Sequence, residues 1–486
     1  MIPYDATMRR MPGRVWHSPT ITTWGSLAVR LGSVVLVLPL VLSRFDAPEV
    51  AVWQLFSVLF TLALLFDFGM APTFARLLAY ARGGSSVAQM AAPAGGAGAA
   101  PAVGALMCVE GASAVLATQR WLYTRLALAA TLAVAVLGSL ALVHPIAQTA
   151  DPRNAWAAWV LVLLTLGVGF WGNGYSAALQ GMDRIAVLRR WEIGCGLAQV
   201  GLSAAVLLAG GGLLELVASY QVWVLFNALR NRRLMQLNFP ALMAAAPKAD
   251  RAVLRTMWPA TWRSGVGVLM SMGVVQASGV AYSQVAAPAD VAAYLLALRV
   301  ITVISQFAQA PFYSKLPQLA KLHVAQQRQA QLALAQRGMR MAHWSFVAGA
   351  ACVALVLPTA LGATGSSVGF VSPAIWALMC LAFFAERFGA MHLQLFSVTN
   401  HIVWHIANGV TGLLMIGTAL LLYPLVGLVA LPAGMLLAYA GFYCVYSFTK
   451  SSRAFGFTLT RFEPSVSLGP ALVLASVVTG AALWAR

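Results

Sequence analysis

Thirteen long apolar runs restrict what this chain can fold into. A helix that crosses the hydrocarbon core of a bilayer needs about 20 mostly apolar residues, and the runs are close to that length or exceed it. Only 9% of the residues are charged, whereas a soluble domain carries about 25%. The sequence therefore predicts an all-α polytopic membrane protein, with spans at 21–42, 50–78, 123–143, 155–179, 191–210, 213–229, 261–282, 290–312, 342–361, 373–396, 402–422, 426–448 and 467–485.

Cations are distributed unevenly between the predicted connections. The net charge of +18 would suggest nucleic acid in a soluble protein, but here most Lys and Arg residues fall on alternate connections. The opposite side receives only Arg44, Arg153 and Arg486. Because cytoplasmic loops are enriched in Lys and Arg, this pattern places the N-terminus in the cytoplasm. It also predicts that the Ala-, Gly- and Pro-rich segment 81–122 is a cytoplasmic loop. Because membrane topology accounts for the positive charge, no nucleic-acid partner is expected.

Two segments half a chain apart resemble each other. DFGMAPTFARL, from Asp67, aligns without a gap with QFAQAPFYSKL, from Gln306, so that Pro72 matches Pro311. In a membrane chain such a repeat is typical of a two-lobed transporter. The predicted organisation is a cytoplasmic N-terminal segment (1–20), an N-lobe of helices 1–6 (21–229), a cytoplasmic linker (230–260), a C-lobe of helices 7–12 (261–448), and a cytoplasmic loop with a thirteenth helix (449–486).

Three arginines fall deep inside predicted spans: Arg30, Arg299 and Arg387. An arginine at the centre of a membrane helix costs at least about 2.5–3.5 kcal/mol on insertion scales. Asp67 and Glu386 lie at similar depth. Glu386 and Arg387 are adjacent and point about 100° apart on a helix, so we expect Glu386 to pair with Arg30 or Arg299 if these charges are structural.

The other interpretation is functional. Deep cations outnumber deep acids, so Arg30, Arg299 and Arg387 would line a cationic cavity for an anionic substrate. Arginine suits phosphate, because its planar fork donates two hydrogen bonds at once.

Other residues are candidates for coupling or gating. Asp67 either neutralises Arg30 or Arg76 or releases a proton during transport, and Glu386 has the same alternatives. Arg76 would lie at the inner end of one overlong span. Pro72 and Pro311, near the inner ends of two spans, would kink them, either as a gate or as a static bend.

Enzymatic and metal chemistry find little support in the sequence. The five cysteines are scattered and suit apolar packing rather than a disulfide frame or a metal site. No nucleophile–base set is evident. A membrane polymerase or ligase would need a large outer loop, and the longest predicted outer loops have about eleven residues, as at 144–154.

The chain resembles the polysaccharide transporter family, which comprises the O-antigen and exopolysaccharide flippases of the multidrug/oligosaccharidyl-lipid/polysaccharide exporter superfamily. Two six-helix lobes with short outer loops carry the resemblance, and the thirteenth span departs from it. Two local motifs of the family also match. Its "D-x-G" stretch with a downstream Arg corresponds to Asp67, Gly69 and Arg76, and its "L-x-G-x-x-R" stretch corresponds to Leu179, Gly181 and Arg184.

This resemblance implies a MATE-like fold and a flippase function. The implied substrate is an undecaprenyl-diphosphate-linked oligosaccharide, moved from the inner to the outer leaflet of the bacterial plasma membrane by alternating access. A proton or sodium gradient would supply the coupling, no cofactor is implied, and membrane lipid, a polysaccharide polymerase and a chain-length regulator would be partners. The implied diphosphate site is Arg30, Arg299 and Arg387. The alternative is a MATE-type cation or drug antiporter, which would depend on Asp67 and Glu386.

Overall fold

The computed structural model describes residues 29, 36–82, 108–245, 248–363, 366–399, 401 and 403–484. Arg30, most of the first predicted span and residues 83–107 lie outside this part of the chain. The described residues form helices and connecting turns, with no strand among them. The predicted all-α class is confirmed.

The helices follow one another with short connections. A helical stretch at 36–44 precedes the first labelled helix. The labelled helices are α1 (Ala47–Leu64), α2 (Met70–Arg82), α3 (Val109–Ala147), α4 (Pro152–Gly181), α5 (Ile185–Leu208), α6 (Leu213–Asn238), α7 (Pro240–Ala244), α8 (Arg251–Val268), α9 (Val274–Ser283), α10 (Pro288–Ala308), α11 (Ala310–Tyr313), α12 (Leu316–Val324), α13 (Arg328–Ala363), α14 (Pro373–Ser397), α15 (Trp404–Val426), α16 (Ala430–Ala438), α17 (Cys444–Phe455), α18 (Leu459–Phe462) and α19 (Leu468–Trp484).

The apolar runs and the observed helices coincide closely. Among the described residues, nine helical segments are long and apolar enough to cross a membrane. Eight overlap single predicted spans, and the ninth, Trp404–Phe455, contains two, because the chain turns back at Gly427 (φ 58°). The helix at 213–238 is more polar than these segments, and the predicted last span holds a shorter apolar helix, Leu468–Val478. The chain is a multi-pass membrane protein.

The second predicted span is broken. α1 is followed by a 3-10 turn, and Phe68 and Gly69 both have positive φ (48° and 71°) before α2 begins at Met70. Two consecutive left-handed residues redirect the chain. The prediction of one continuous span over 50–78 is therefore wrong, and Asp67 lies at the break.

The matched prolines both lie in the first turn of a helix. Pro72 is the third residue of α2, and Pro311 is the second residue of α11. Proline fits there because its missing N–H has no intrahelical partner in a first turn. Each repeat therefore restarts a helix at its proline, and the proposed gating role stays a prediction.

α3 begins earlier than predicted. Its 39 residues extend about 58 Å, against a hydrocarbon core of about 30 Å. Six of its exposed large apolar side chains fall between Leu128 and Val143, against two, Val109 and Trp121, before Arg125, so the segment before Arg125 projects beyond the core. Residues 109–122, expected in a loop, are helical, because this segment is rich in good helix formers such as alanine.

The chain packs into two compact units. Unit 1 consists of Met1–Phe45 and Leu59–Trp262, and unit 2 consists of Asp46–Val58 and Arg263–Arg486. The buried core of unit 1 includes Phe74, Tyr123 and Phe170. The core of unit 2 includes Phe312 and Met391.

Candidate functional site

A polar cavity of about 320 Å³ lies within unit 1. α4, α5 and α6 form most of its wall, and Val29, Phe60 and Leu64 complete it. Its lining is unusually polar for a membrane chain: Asn173, Ser176, Glu192, Cys195, Gln199, Tyr220, Asn227, Arg230 and Asn231.

Helical spacing gathers these side chains on one side of each helix. Residues three, four and seven apart share a helix face. The stripes that line the cavity are Gly169, Gly172, Asn173 and Ser176 on α4, Glu192, Cys195, Gly196 and Gln199 on α5, and Tyr220, Asn227 and Asn231 on α6.

Small residues bring α4 and α6 close together beside the cavity. A Cβ atom added at Gly172 would lie 2.5 Å from the Cβ of Ala228, and one added at Gly169 would lie 2.7 Å from Val224. A short hydrogen bond from Thr165 to Gln221 (2.6 Å) joins the same two helices. Membrane helices commonly have glycine and alanine where they cross, because small side chains let the two backbones approach closely.

Arg230 is the buried cation of this cavity. Only 7% of it is exposed. Its Nε and Nη2 atoms donate to Asn231 Oδ1 (3.2 and 2.7 Å), and its Nη1 atom lies 3.3 Å from Cys195 Sγ. All of these acceptors are neutral. The ion pairs found among the described residues do not include Arg230.

The cavity therefore carries uncompensated positive charge. Among its described lining residues, the one acid is Glu192, which is held by Arg189 at 2.6 Å. A buried charge without a counter-ion costs several kcal/mol, roughly 3–5 in mutational data. A bound anion that accepts hydrogen bonds from the guanidinium would offset this cost.

One of the two deep arginines of unit 2, Arg387, has a different environment. Arg387 on α14 is 6% exposed. Its Nη1 atom donates to Gln309 (2.8 Å), and its Nη2 atom donates to both carboxylate oxygens of Glu386 (2.7 and 2.9 Å). The Tyr313 ring lies 6.0 Å away. Arg387 is thus held by a carboxylate within packed protein.

The expectation that Glu386 and Arg387 avoid each other is wrong. Their Cα–Cβ directions do differ by about 100°, but both side chains are long enough to turn toward each other around the helix. Backbone direction alone does not decide whether two long side chains meet.

Arg299 lies elsewhere in unit 2. Its guanidinium is 4.9 Å from the centre of the Trp53 ring, which is a cation–π distance. Gln309, the partner of Arg387, follows ten residues later, or about 15 Å along a helix. The structure thus gives Arg299 and Arg387 different neighbours, and their predicted substrate role remains a prediction, as does that of Arg30.

Asp67 acts locally at the break before α2. Its Oδ2 atom accepts the Ala71 N–H at 3.0 Å, and its Oδ1 atom accepts the Tyr123 hydroxyl. A carboxylate at a helix N-terminus accepts hydrogen bonds from the free N–H groups there and interacts favourably with the positive end of the helix dipole. Arg76 is exposed, and the described residues contain no ion pair between it and Asp67. Coupling roles for both stay predictions.

Unit 2 contains a second buried polar cluster. His392 Nε2 donates to Glu463 Oε1 (3.0 Å), His392 Nδ1 lies 2.7 Å from Ser451 Oγ, and the Ser467 hydroxyl donates to Glu463 Oε2 (2.6 Å). Burial raises the pKa of Glu463, but the hydrogen bond and charge of His392, with Ser467, outweigh burial and hold that pKa below its ordinary value of 4.5. This cluster ties the start of α19 to α14.

Sequence reasoning missed Arg230 and Cys195. Arg230 falls at the start of the predicted cytoplasmic linker 230–260, together with Arg232 and Arg233, and of these three only the latter two are exposed. The signal that identifies it is the stripe Asn227, Arg230, Asn231, which puts polar residues on one face of a helix. Among the described residues, no three His, Cys, Asp or Glu side chains are grouped to hold a metal ion.

Comparison with known proteins supports the fold. No family model matches the chain, and no curated protein matches its sequence. Among solved structures, the chain is similar to an inward-facing multidrug-resistance MATE family transporter of the MOP superfamily, with a TM-score of 0.59 and 13% identity over 88% of this chain and 98% of that one. It is also similar to the lipid II flippase MurJ, with a TM-score of 0.55 and 11% identity over 95% and 97%. The MATE-like fold predicted from the sequence is confirmed.

Proposed function

We propose that this chain is a flippase that moves an undecaprenyl-diphosphate-linked oligosaccharide, an O-antigen or exopolysaccharide repeat unit, from the inner to the outer leaflet of the bacterial plasma membrane. The observation that carries the proposal is Arg230: a buried arginine with only neutral partners in a polar cavity. In this proposal the chain is a transporter of the polysaccharide transporter family and not an enzyme.

The cavity suits the chemistry of such a substrate. The diphosphate would accept hydrogen bonds from the Arg230 guanidinium, replacing Asn231 and Cys195 as partners. Asn173, Gln199 and Asn227 offer amide donors and acceptors for sugar hydroxyls. The polyprenyl chain would stay in the lipid, because moving it into a polar cavity would lose its hydrophobic stabilisation.

The position of the cavity fits loading from the inner leaflet. It lies toward the ends of α4 and α5 that meet near Arg184, where Arg189 and Arg190 also cluster. By the positive-inside rule this is the cytoplasmic side. The proposal keeps the predicted lobes 21–229 and 261–448, alternating access between them, and a proton or sodium gradient as the driving force.

Arg299 and Arg387 are weaker candidates for the diphosphate than Arg230. The Arg387 charge is already balanced by Glu386, so an incoming phosphate would have to compete with a carboxylate at hydrogen-bond distance. They remain secondary contacts in this proposal, and Asp67, Arg76, Glu386, Pro72 and Pro311 remain candidates for coupling or gating.

A cation or drug antiporter is the second candidate. Glu192 lines the cavity and supplies the acid that such a transporter needs, and the MATE fold is shared. Its carboxylate is paired with Arg189, however, and the cavity retains net positive charge through Arg230. The charge balance therefore favours an anion.

The test uses a strain of the source bacterium without this gene. We expect complete diphosphate-linked oligosaccharide to accumulate on the cytoplasmic leaflet. The intact gene should clear it, Arg230→Met should not, and Arg230→Lys should restore only part of the activity, since a lysine cannot donate a planar pair of hydrogen bonds. Arg153→Gln, at an exposed cation of unit 1, is the matched control and should behave like the intact gene.

Two outcomes would contradict the proposal. Full activity of Arg230→Met, at equal membrane abundance, would remove the diphosphate site from the unit 1 cavity. Normal lipid-linked pools in the deletion strain, together with new sensitivity to cationic drugs, would favour the antiporter and direct attention to Glu192.

A further inference from the structure

A second, apolar groove of about 430 Å³ lies in unit 1, between α3 and α8. Met70, Leu122, Leu254 and Met257 supply apolar lining. Two tryptophans also line it, and both are exposed: Trp121 by 38% and Trp258 by 62%. The groove is separate from the cavity of Arg230, because the two share no lining residue.

The groove lies where α3 leaves the hydrocarbon core. The close series of exposed apolar side chains on α3 begins at Leu128, just after the exposed Trp121 and Arg125. On α8, the exposed residues Arg251, Arg255 and Trp258 form one stripe at spacings of four and three. Tryptophan and arginine together mark the level of the lipid headgroups.

Cations surround the apolar lining. Arg255 lines the groove, and the Arg125 guanidinium lies 3.9 Å from the centre of the Trp121 ring. None of the described lining residues is acidic. Asp250, the acid that directly precedes α8, accepts the Ala252 N–H at 2.7 Å as a cap of the helix.

Thr261 points to a ligand that carries polar atoms in the groove. It lines the groove and is only 1% exposed. Its hydroxyl has no hydrogen-bond partner among the described residues. A buried hydroxyl without a partner costs about 1–3 kcal/mol, and an ester carbonyl of a glycerolipid would accept a hydrogen bond from it.

We propose that this groove binds one anionic glycerophospholipid. An acyl chain occupies the apolar lining, an ester carbonyl accepts from Thr261, and the phosphate group lies between Arg125 and Arg255. The ester carbonyl favours a glycerolipid over a prenyl diphosphate, which has none. This site is independent of the transported substrate and of the flippase proposal.

Binding is tested on the purified full-length protein by native mass spectrometry. The probes are phosphatidylglycerol and phosphatidylcholine with identical chains. We expect phosphatidylglycerol to bind at least about tenfold more tightly than phosphatidylcholine. The double variant Arg125→Gln/Arg255→Gln should lose this preference, because each arginine contributes roughly fivefold to it. Arg255→Lys should keep most of it, which separates loss of charge from loss of folding. Arg153→Gln is the control.

Brominated-chain phosphatidylglycerol provides the second readout. Part of the quenching of tryptophan fluorescence should saturate as the lipid concentration rises. Trp258→Phe should remove this saturable part. The control Trp191→Phe, at an exposed tryptophan of α5, should leave it in place. Equal binding of both lipids, or quenching unchanged by Trp258→Phe, would reduce the groove to ordinary lipid contact and overturn the proposal. Undecaprenyl diphosphate binding there without phosphatidylglycerol would overturn it as well.

Discussion

Arg230 on α6 and Arg387 on α14 are both buried arginines, one in each unit, and their surroundings differ. Arg387 donates to the carboxylate of Glu386 and to Gln309 within packed protein. Arg230 donates to an amide oxygen and contacts a thiol, beside a cavity of about 320 Å³. Burial alone therefore does not identify a binding arginine; the charge and the packing of its partners do.

The difference lies in the helices that surround each arginine. In unit 1, stripes of glycine and amide side chains on three helices leave space beside Arg230. In unit 2, the aromatic side chains of Tyr313, Tyr439 and Tyr443 are near Arg387. Space next to a charge allows a ligand to supply the counter-ion, whereas filled space requires the protein to supply it.

The largest effect that we expect on stability is in unit 2. Glu386→Gln would leave Arg387 buried without a counter-ion, at a cost of about 3–5 kcal/mol in the free energy of unfolding. Adding Arg387→Met should recover most of this loss. Denaturant titration in detergent micelles measures both variants, and a loss below about 1 kcal/mol for Glu386→Gln would show that Arg387 does not depend on its carboxylate.

Arg230→Met sharpens the comparison in the same assay. Because it removes a buried charge that has no counter-ion, it should leave the free energy of unfolding unchanged or raise it slightly. A loss of several kcal/mol would mean that Arg230 is a structural residue like Arg387.

A smaller effect is expected at the contact between α4 and α6. Gly172→Ala would place a Cβ atom 2.5 Å from Ala228, and overpacking of this kind costs about 1–3 kcal/mol. Gly201→Ala on α5 is the matched control, because a Cβ atom there meets nothing within 4 Å. It should be neutral or slightly stabilising. Thermal unfolding of the two variants should differ clearly, and equal values would show that the helix contact beside the cavity is loose.

An effect of similar size, which depends on pH, is expected in unit 2. The folded-state pKa of Glu463 lies below its ordinary value of 4.5, so its stabilising contribution is complete above pH 4.5 and is lost as the pH falls through the folded-state pKa. Glu463→Gln should therefore lower the free energy of unfolding at pH 7 by about 1–3 kcal/mol. The difference from wild type should shrink at about pH 3.

Glu110→Gln, at an exposed acid of α3, is the control for this pH experiment and should change little at either pH. A difference for Glu463→Gln that stays constant from neutral to acidic pH would show that the charge of Glu463 does not stabilise the contact between α19 and α14.

Much of the fold was predictable because apolar length is a local property. The ends of α4, α10 and α14 lie within a few residues of the predicted spans 155–179, 290–312 and 373–396. The break at Phe68 was not predictable in this way, since a left-handed phenylalanine has no local signature. Residues 109–122 were misjudged because their composition fits both a loop and a helix that projects from the membrane.

The candidate site was harder to predict than the fold. The charge of a residue is visible in the sequence, but its partners depend on contacts between distant segments. Cys195 lies 35 residues from Arg230, and Tyr123 lies 56 residues from Asp67. Glu386 and Arg387 are adjacent, and even there the reach of the side chains, rather than their spacing, determined the pair.

The most direct test of the central claim is the affinity of the purified protein for a soluble short-chain prenyl diphosphate. We predict that Arg230→Met raises the dissociation constant at least about tenfold, which corresponds to about 1.4 kcal/mol. Arg387→Met in the background of Glu386→Gln should change it by less than about threefold, or about 0.7 kcal/mol. Unchanged affinity in Arg230→Met, with a large loss in the unit 2 variant, would contradict the account and place the anion site at Arg387.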